Sequence, residues 1–162
     1  MLTHRMSMVH EADPHIRVYT ATMAESTDAT TEAAVLDANA AFYRAFTQGD
    51  YTAMSDLWAQ RAPVACLHPT AQAYVGRSVV LDIWKQVLGG TSRFELRCDQ
   101  PLVHVFGNAA IVTCYEGADD DPAHLAATNV FVLEDGRWRM VHHHAGPISS
   151  PLPRPAHRLS MN

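Results

Sequence analysis

The stretch Leu125–His144, LAATNVFVLEDGRWRMVHHH, decides the fold. Asp135-Gly136 suits the positive-φ geometry of a two-residue hairpin, so the stretch predicts two antiparallel strands around that turn. Turn register then sets Glu134 opposite Arg137, Leu133 opposite Trp138 and Phe131 opposite Met140. Continued without interruption, it sets Asn129 opposite His142 and Ala127 opposite His144. Side chains alternate faces along a strand, so one face would be apolar near the turn and polar at its far end. Leu133, Trp138, Phe131 and Met140 supply the apolar end; Asn129, His142 and His144 supply the titratable end. His143 would point away with Val130, Val132, Val141, Thr128 and Arg139. A face graded in this way suits the floor of a half-buried pocket.

The 162-residue chain is long enough for one domain with its own core. A net charge of -5 without a Lys/Arg cluster argues against general nucleic-acid binding. No apolar run approaches membrane-spanning length, and a cytoplasmic location is the simplest expectation. Cys66, Cys98 and Cys114 form no CxxC pair, sit in apolar strand-like runs and read as buried small hydrophobes. Residues 1–30 show no apolar periodicity and no secretory h-region, and read as a flexible extension. Residues 149–162 read as a Pro-rich tail, with the chain unable to continue a strand from Pro147 onward.

Between these ends, Thr31–Gln48 predicts a helix with Val35, Ala38, Phe42, Ala45 and Phe46 on its inner stripe and Tyr43 beside Phe42, either at the surface or, ranked with Tyr74 behind Tyr115, as a cavity tyrosine. Asp50 predicts the N-cap of a short second helix bearing Met54, Leu57 and Trp58. Pro63 opens a strand VACLH, a second short strand follows at 73–75, and Ser78 caps a third helix carrying Val80, Ile83, Trp84, Val87 and Leu88. Strands follow at about 94–98 and 102–106, with a bulge forced by Pro101 between them, and at 109–116 after a Gly107-Asn108 turn. Helices first and hairpin-linked strands afterwards predict an α+β domain: a curved antiparallel sheet with helices on one face.

The CLHP strand followed by YVGRSVVLDIW, the strand ending GNAAIVTCYEG, and TNVFVLEDGRWRMVHHHAGPI resemble the nuclear transport factor 2-like superfamily, most of all its SnoaL-like bacterial members. The resemblance covers residues 31–148. It implies a cone-shaped fold, a strongly curved mixed or antiparallel sheet wrapped around three helices of the N-terminal half, with a central cavity and frequent homodimerisation through the sheet's outer face. It also implies a wide choice of activities, since ketosteroid isomerase, polyketide cyclases, dehydratases, epoxide hydrolases and non-catalytic association domains share the fold. Isomerase chemistry needs a cavity Asp with a Tyr and a protonated acid. That set is not found, because Glu95, Asp99, Glu116, Asp119, Asp120 and Asp121 fall at strand margins or in a loop.

His142 and His144 are therefore the candidate catalytic residues, acting as acid and base near neutral pH. Asn129, Tyr115, Phe131, Met140, Trp138, His68 and Trp84 are the candidate ligand-binding set, Tyr115 through its hydroxyl. No metal is expected, since two histidines on one strand are no HExxH. No Gly-rich phosphate loop calls for a nucleotide, and no cofactor is expected. The chain then reads as a binder of a small apolar molecule such as a carboxylate or ketone, or as a cofactor-independent isomerase, cyclase, dehydratase or hydrolase. A dimerisation module without ligand is the third alternative.

Overall fold

A computed structural model of the chain describes residues 29–69, 71–90 and 94–152. The proposed N-terminal extension up to residue 28 and the tail beyond residue 152 lie outside the described residues. Helices α1 (Ala29–Gln48) and α2 (Tyr51–Leu57) come first, then strands β1 (Ala65–Leu67) and β2 (Ala73–Val75) and helix α3 (Arg77–Gly89). Four long strands complete the chain: β3 (Leu96–Phe106), β4 (Ala109–Ala118), β5 (Ala123–Glu134) and β6 (Arg137–Leu152). No helix among the described residues is long and apolar enough to cross a membrane.

The bend between β5 and β6 lies at Asp135-Gly136, with φ of 51° and 76°, as the two-residue turn requires. Glu134 faces Arg137, Leu133 faces Trp138 and Phe131 faces Met140. One step further the register slips. Val130 pairs with His142, Asn129 with His143 and Thr128 with His144, leaving Val141 as the extra residue of a β-bulge. The neighbour on the far side of β6 also changes at this point: Trp58 bridges Met140, whereas Ala65 pairs with His142. The slip turns His143 inward and reverses the predicted roles of the three histidines. The apolar end also stops short of the turn, since Leu133 is exposed and Trp138 only half-buried.

The six strands form a single mixed sheet in the order β2-β1-β6-β5-β4-β3, antiparallel except for the β1–β6 pair. The expected cone does not form. The sheet is open, with β2 and β3 as free edges, and is not strongly curved. Bulky side chains fill the space between the layers: Phe42 from α1, Trp84 from α3, Phe131 from β5 and Met140 from β6 are all buried. These side chains pack between the sheet and the helices, and the cavity described below lies to one side of them, between α1 and β3.

Local signals account for most element ends. Asp50 caps α2, its side chain accepting from Ala53 N at 2.9 Å. The cap of α3 is Gly76 instead of Ser78, at a φ of 90° that an L side chain rarely adopts. β3 carries the expected irregularity between Asp99 and Leu102, around Pro101. β6, by contrast, runs through Pro147 to Leu152. Its pairing with β1 ends at His144, so beyond that point one side of β6 is free and a proline there costs no ladder bond on that side.

Glu134 shows how a polar group at the hairpin fixes the helical layer. Its carboxylate accepts from the backbone N–H of Gln60 (2.9 Å), Arg61 (3.2 Å) and Ala62 (2.9 Å), the segment that follows α2. These backbone donors hold its pKa below the usual carboxylate range. Glu134→Ala should cost about 2 kcal/mol, since three donors lose a charged acceptor and regain only partial solvation. Urea unfolding at pH 7 measures this; no change in midpoint would mean that solvent already serves these groups.

Candidate functional site

The inner face of the sheet alternates as pleating requires. Ala110, Val112, Cys114 and Glu116 on β4 and Ala127, Asn129 and Phe131 on β5 are buried. On α1 the buried residues are Val35, Asn39, Phe42, Tyr43 and Ala45. Where α1 crosses β4, β5 and β6, polar side chains from all four elements meet inside the protein. Asn129, fully buried, stands at their centre.

The hydrogen bonds fix its orientation. Asn129 Nδ2 donates to Asn39 Oδ1 at 2.7 Å and to the Tyr43 hydroxyl oxygen at 3.2 Å. Asn129 Oδ1 therefore faces His143 Nδ1 at 2.7 Å as acceptor, which places the imidazole proton on Nδ1. The Tyr43 hydroxyl donates to Glu116 Oε1 at 2.9 Å. With its one proton so used, it accepts from the Cys114 thiol at 3.1 Å. Asn39 Nδ2 in turn donates to Cys98 Sγ at 3.4 Å. One continuous network thus joins His143, Asn129, Asn39, Tyr43, Glu116, Cys98 and Cys114.

Burial sets the charges within it. Glu116, 3% exposed, has its pKa pushed up to about 7 by desolvation, against a smaller lowering by the Tyr43 hydroxyl. His143 is pushed down to about 3 by desolvation, with small contributions from His68, His142 and His144. It is neutral across the physiological range. Tyr43 is held far above the usual phenol range by burial and by the neighbouring Glu116, so it works as a hydroxyl and not as a phenolate.

A cavity of about 620 Å³ opens between α1 and β3, and Asn39, Tyr43 and Cys98 form part of its wall. Asp37, Arg44, Glu95 and Asp99 also line it. Glu116 stands one hydrogen bond behind Tyr43.

The residues singled out from sequence are distributed unevenly about this site. Asn129 belongs to it. Phe131 and Met140 are fully buried core residues, and Trp138 is half-buried near the turn. Trp84 and His68 lie against His143, with ring centroids 6.1 and 6.3 Å from it and 4.7 Å from each other. Trp84 Nε1 and His68 Nε2 are buried without a hydrogen-bond partner. His142 and His144 sit together on the opposite face of β6, their centroids 6.3 Å apart, as the Val141 bulge dictates. Tyr115 lies on the outer face too, because its neighbours Cys114 and Glu116 take the inner positions.

Asn39, Glu116 and His143 were the residues missed, and Tyr43 was ranked behind Tyr115. Two carried a signal. Asn39 follows Val35 by four residues on the apolar stripe of α1, and Glu116 continues the Val112-Cys114 alternation of β4. Among the cysteines, Cys66 and Cys114 are buried as expected, but Cys98 is half-buried and reaches the cavity wall.

Known proteins agree with this architecture. The model of the SnoaL-like domain matches residues 35–150. A proposed dehydratase of the NTF2-like family from Streptomyces avermitilis is 31% identical, over 75% of this chain and 98% of its own, with a TM-score of 0.68. A proposed calcium/calmodulin-dependent protein kinase type II association domain from Thiobacillus denitrificans is 34% identical, over 68% of this chain and 92% of its own, with a TM-score of 0.58. F-box protein SKIP8 of Arabidopsis thaliana is 27% identical over 115 residues, 71% of this chain and 50% of that protein. The chain thus spans about half the length of that curated relative. With most of its length matched, from the helix that carries Asn39 and Tyr43 through the bulged strand that carries His143, the chain belongs to the SnoaL-like domain family of the nuclear transport factor 2-like superfamily.

Proposed function

We propose that the chain binds a small, mostly apolar carbonyl or hydroxyl compound in the α1–β3 cavity and moves a proton on it through Tyr43 and Glu116. The observation that carries this reading is the Glu116 carboxyl. It is buried, poised at about 7, and bonded to the hydroxyl of Tyr43, a residue of the cavity wall. A group poised near neutrality both accepts and returns a proton, the property that general acid–base catalysis requires. Tyr43 would take a proton from the ligand while passing its own to Glu116, and Asn39 would hold the ligand oxygen. His143, neutral over the working range, positions Asn129 and through it Tyr43. The similar Streptomyces avermitilis protein is described as a proposed dehydratase, and loss of water beside a carbonyl needs this pairing of base and acid.

The test uses medium-chain methyl ketones and β-hydroxy ketones in D2O, with α-hydrogen exchange and elimination followed by NMR. The wild-type protein should exchange or eliminate, and Glu116→Gln and Tyr43→Phe should each lose on the order of 100-fold in rate while remaining folded. Thermal stabilisation by these compounds without exchange would remove the catalytic half of the proposal. Absence of both would remove all of it.

A second reading concerns assembly. We infer a homodimer through the outer face of the sheet, where Leu102 is 57% exposed beside a groove lined by Thr113, Tyr115, Ala126 and Thr128. Val130, Val132 and Val141 are half-buried strand residues, whereas Val112 on β4 is fully buried inside. Sedimentation should give a dimer at micromolar concentration, with Leu102→Glu shifting it to monomer. A wild-type monomer would end this reading.

A further inference from the structure

The network contains two thiols that acid–base chemistry does not use. Cys98 on β3 lies opposite Glu116, and Cys114 lies two residues before Glu116 on β4, so both project from the inner face. On these two paired strands they are diagonal neighbours of one face. Each also meets a fixed polar neighbour, Asn39 Nδ2 at 3.4 Å from Cys98 Sγ and the Tyr43 hydroxyl at 3.1 Å from Cys114 Sγ. The two differ in exposure: Cys98 is half-buried and lines the 620 Å³ cavity, whereas Cys114 is buried, 3% exposed.

We propose that Cys98 and Cys114 form a redox pair in which a hydroperoxide entering the cavity oxidises Cys98 and Cys114 then closes a disulfide. In the first step the Cys98 thiolate sulfur attacks a peroxide oxygen and the O–O bond breaks. The departing hydroxide or alkoxide takes a proton, leaving Cys98 as a sulfenic acid. In the second step the Cys114 sulfur displaces the sulfenic hydroxyl, which leaves as water with the Cys114 proton. The two thiols lose two electrons in all, and the hydroperoxide is reduced to an alcohol and water. Asymmetry within the pair favours this order. The neighbouring Cys114 side chain and the donating Asn39 amide lower the Cys98 pKa against desolvation, whereas the neighbouring Cys98 and desolvation raise that of Cys114. The thiolate therefore forms on the sulfur that the oxidant can reach.

The proposal is independent of the activity proposed above, and its test needs no substrate. Reduced wild-type protein is treated with hydrogen peroxide, alkylated, digested without reductant and mapped by mass spectrometry. The expected product is a peptide cross-linked between Cys98 and Cys114, with Cys66 still a thiol. Cys66 is the internal control, buried on β1 with its thiol pushed up to about 12, chiefly by desolvation. Cys114→Ser should stop the reaction at a Cys98 sulfenic acid that dimedone traps, and Cys98→Ser should leave Cys114 reduced. Both thiols remaining free in the wild-type protein, or Cys98 passing to sulfinic acid without a cross-link, would overturn it.

Discussion

Asn129→Leu is expected to destabilise the protein by about 4 kcal/mol, a large share of the stability of a domain this size. The side chains are similar in volume, so the cost is not a cavity. It arises because one amide serves three neighbours at once: His143 Nδ1–H loses its acceptor, Asn39 Oδ1 its donor, and the Tyr43 oxygen one of its donors. Each is buried and none gains water in return. The same logic predicts partial rescue. A triple variant with Asn39→Leu and His143→Phe added should be more stable than Asn129→Leu alone, since removing both ends of a buried bond costs less than removing one. Urea titrations of the three proteins decide the matter. A loss below about 1 kcal/mol for Asn129→Leu would mean that the orphaned groups find other partners.

Stability should also depend on pH in two opposed ways, each traceable to one residue. His143 has a native pKa near 3 against an ordinary value of 6.5. Between these values the unfolded chain holds the extra proton, so stability rises with pH across this window and is lost on acidification. At about 1.36 kcal/mol per pH unit the full effect is on the order of 5 kcal/mol. Glu116 works in the other direction. Its native pKa of about 7 lies above the ordinary 4.5, so here the folded protein holds the extra proton and stability falls as pH rises from about 4.5 to about 7. That loss is on the order of 3 kcal/mol. His68, also lowered by burial, adds to the acid limb in every variant. Unfolding free energies measured from pH 4 to 8 should show a flatter acid limb in His143→Gln and a flatter neutral limb in Glu116→Gln. Parallel curves for wild type and both variants would show that neither group is desolvated in solution.

The hairpin, its turn and the order of helices and strands were legible because each rests on a local rule. Asp-Gly demands one turn geometry, Pro101 demands a break, and Asp50 caps the helix it precedes. The site was less legible because one inserted residue decides it. Val141 adds nothing to the polar–apolar pattern: a run of three histidines reads equally well in either register, and only the slip against β5 selects His143. Tyr43 was misread for a different reason. It follows Phe42 by 100° on the helix, within the arc that a broad buried stripe covers, and only the packing of α1 over β4 shows that it lies inside. The expected cone was a property of the resemblance and not of these residues, whose large side chains fill the interior instead.

The edge formed by β3 has a bearing on how copies of this chain can meet. Its backbone is interrupted at Asp99–Leu102, with Gln100 held at a φ of 54° and Pro101 lacking an amide proton. A neighbouring molecule approaching that rim finds no uninterrupted ladder to extend, and the opposite rim, β2, offers three residues. Stacking into cross-β ribbons is thereby discouraged at both margins. The proposed dimer avoids both rims and uses the broad side of the sheet, where side chains rather than main-chain donors would determine which surface is accepted.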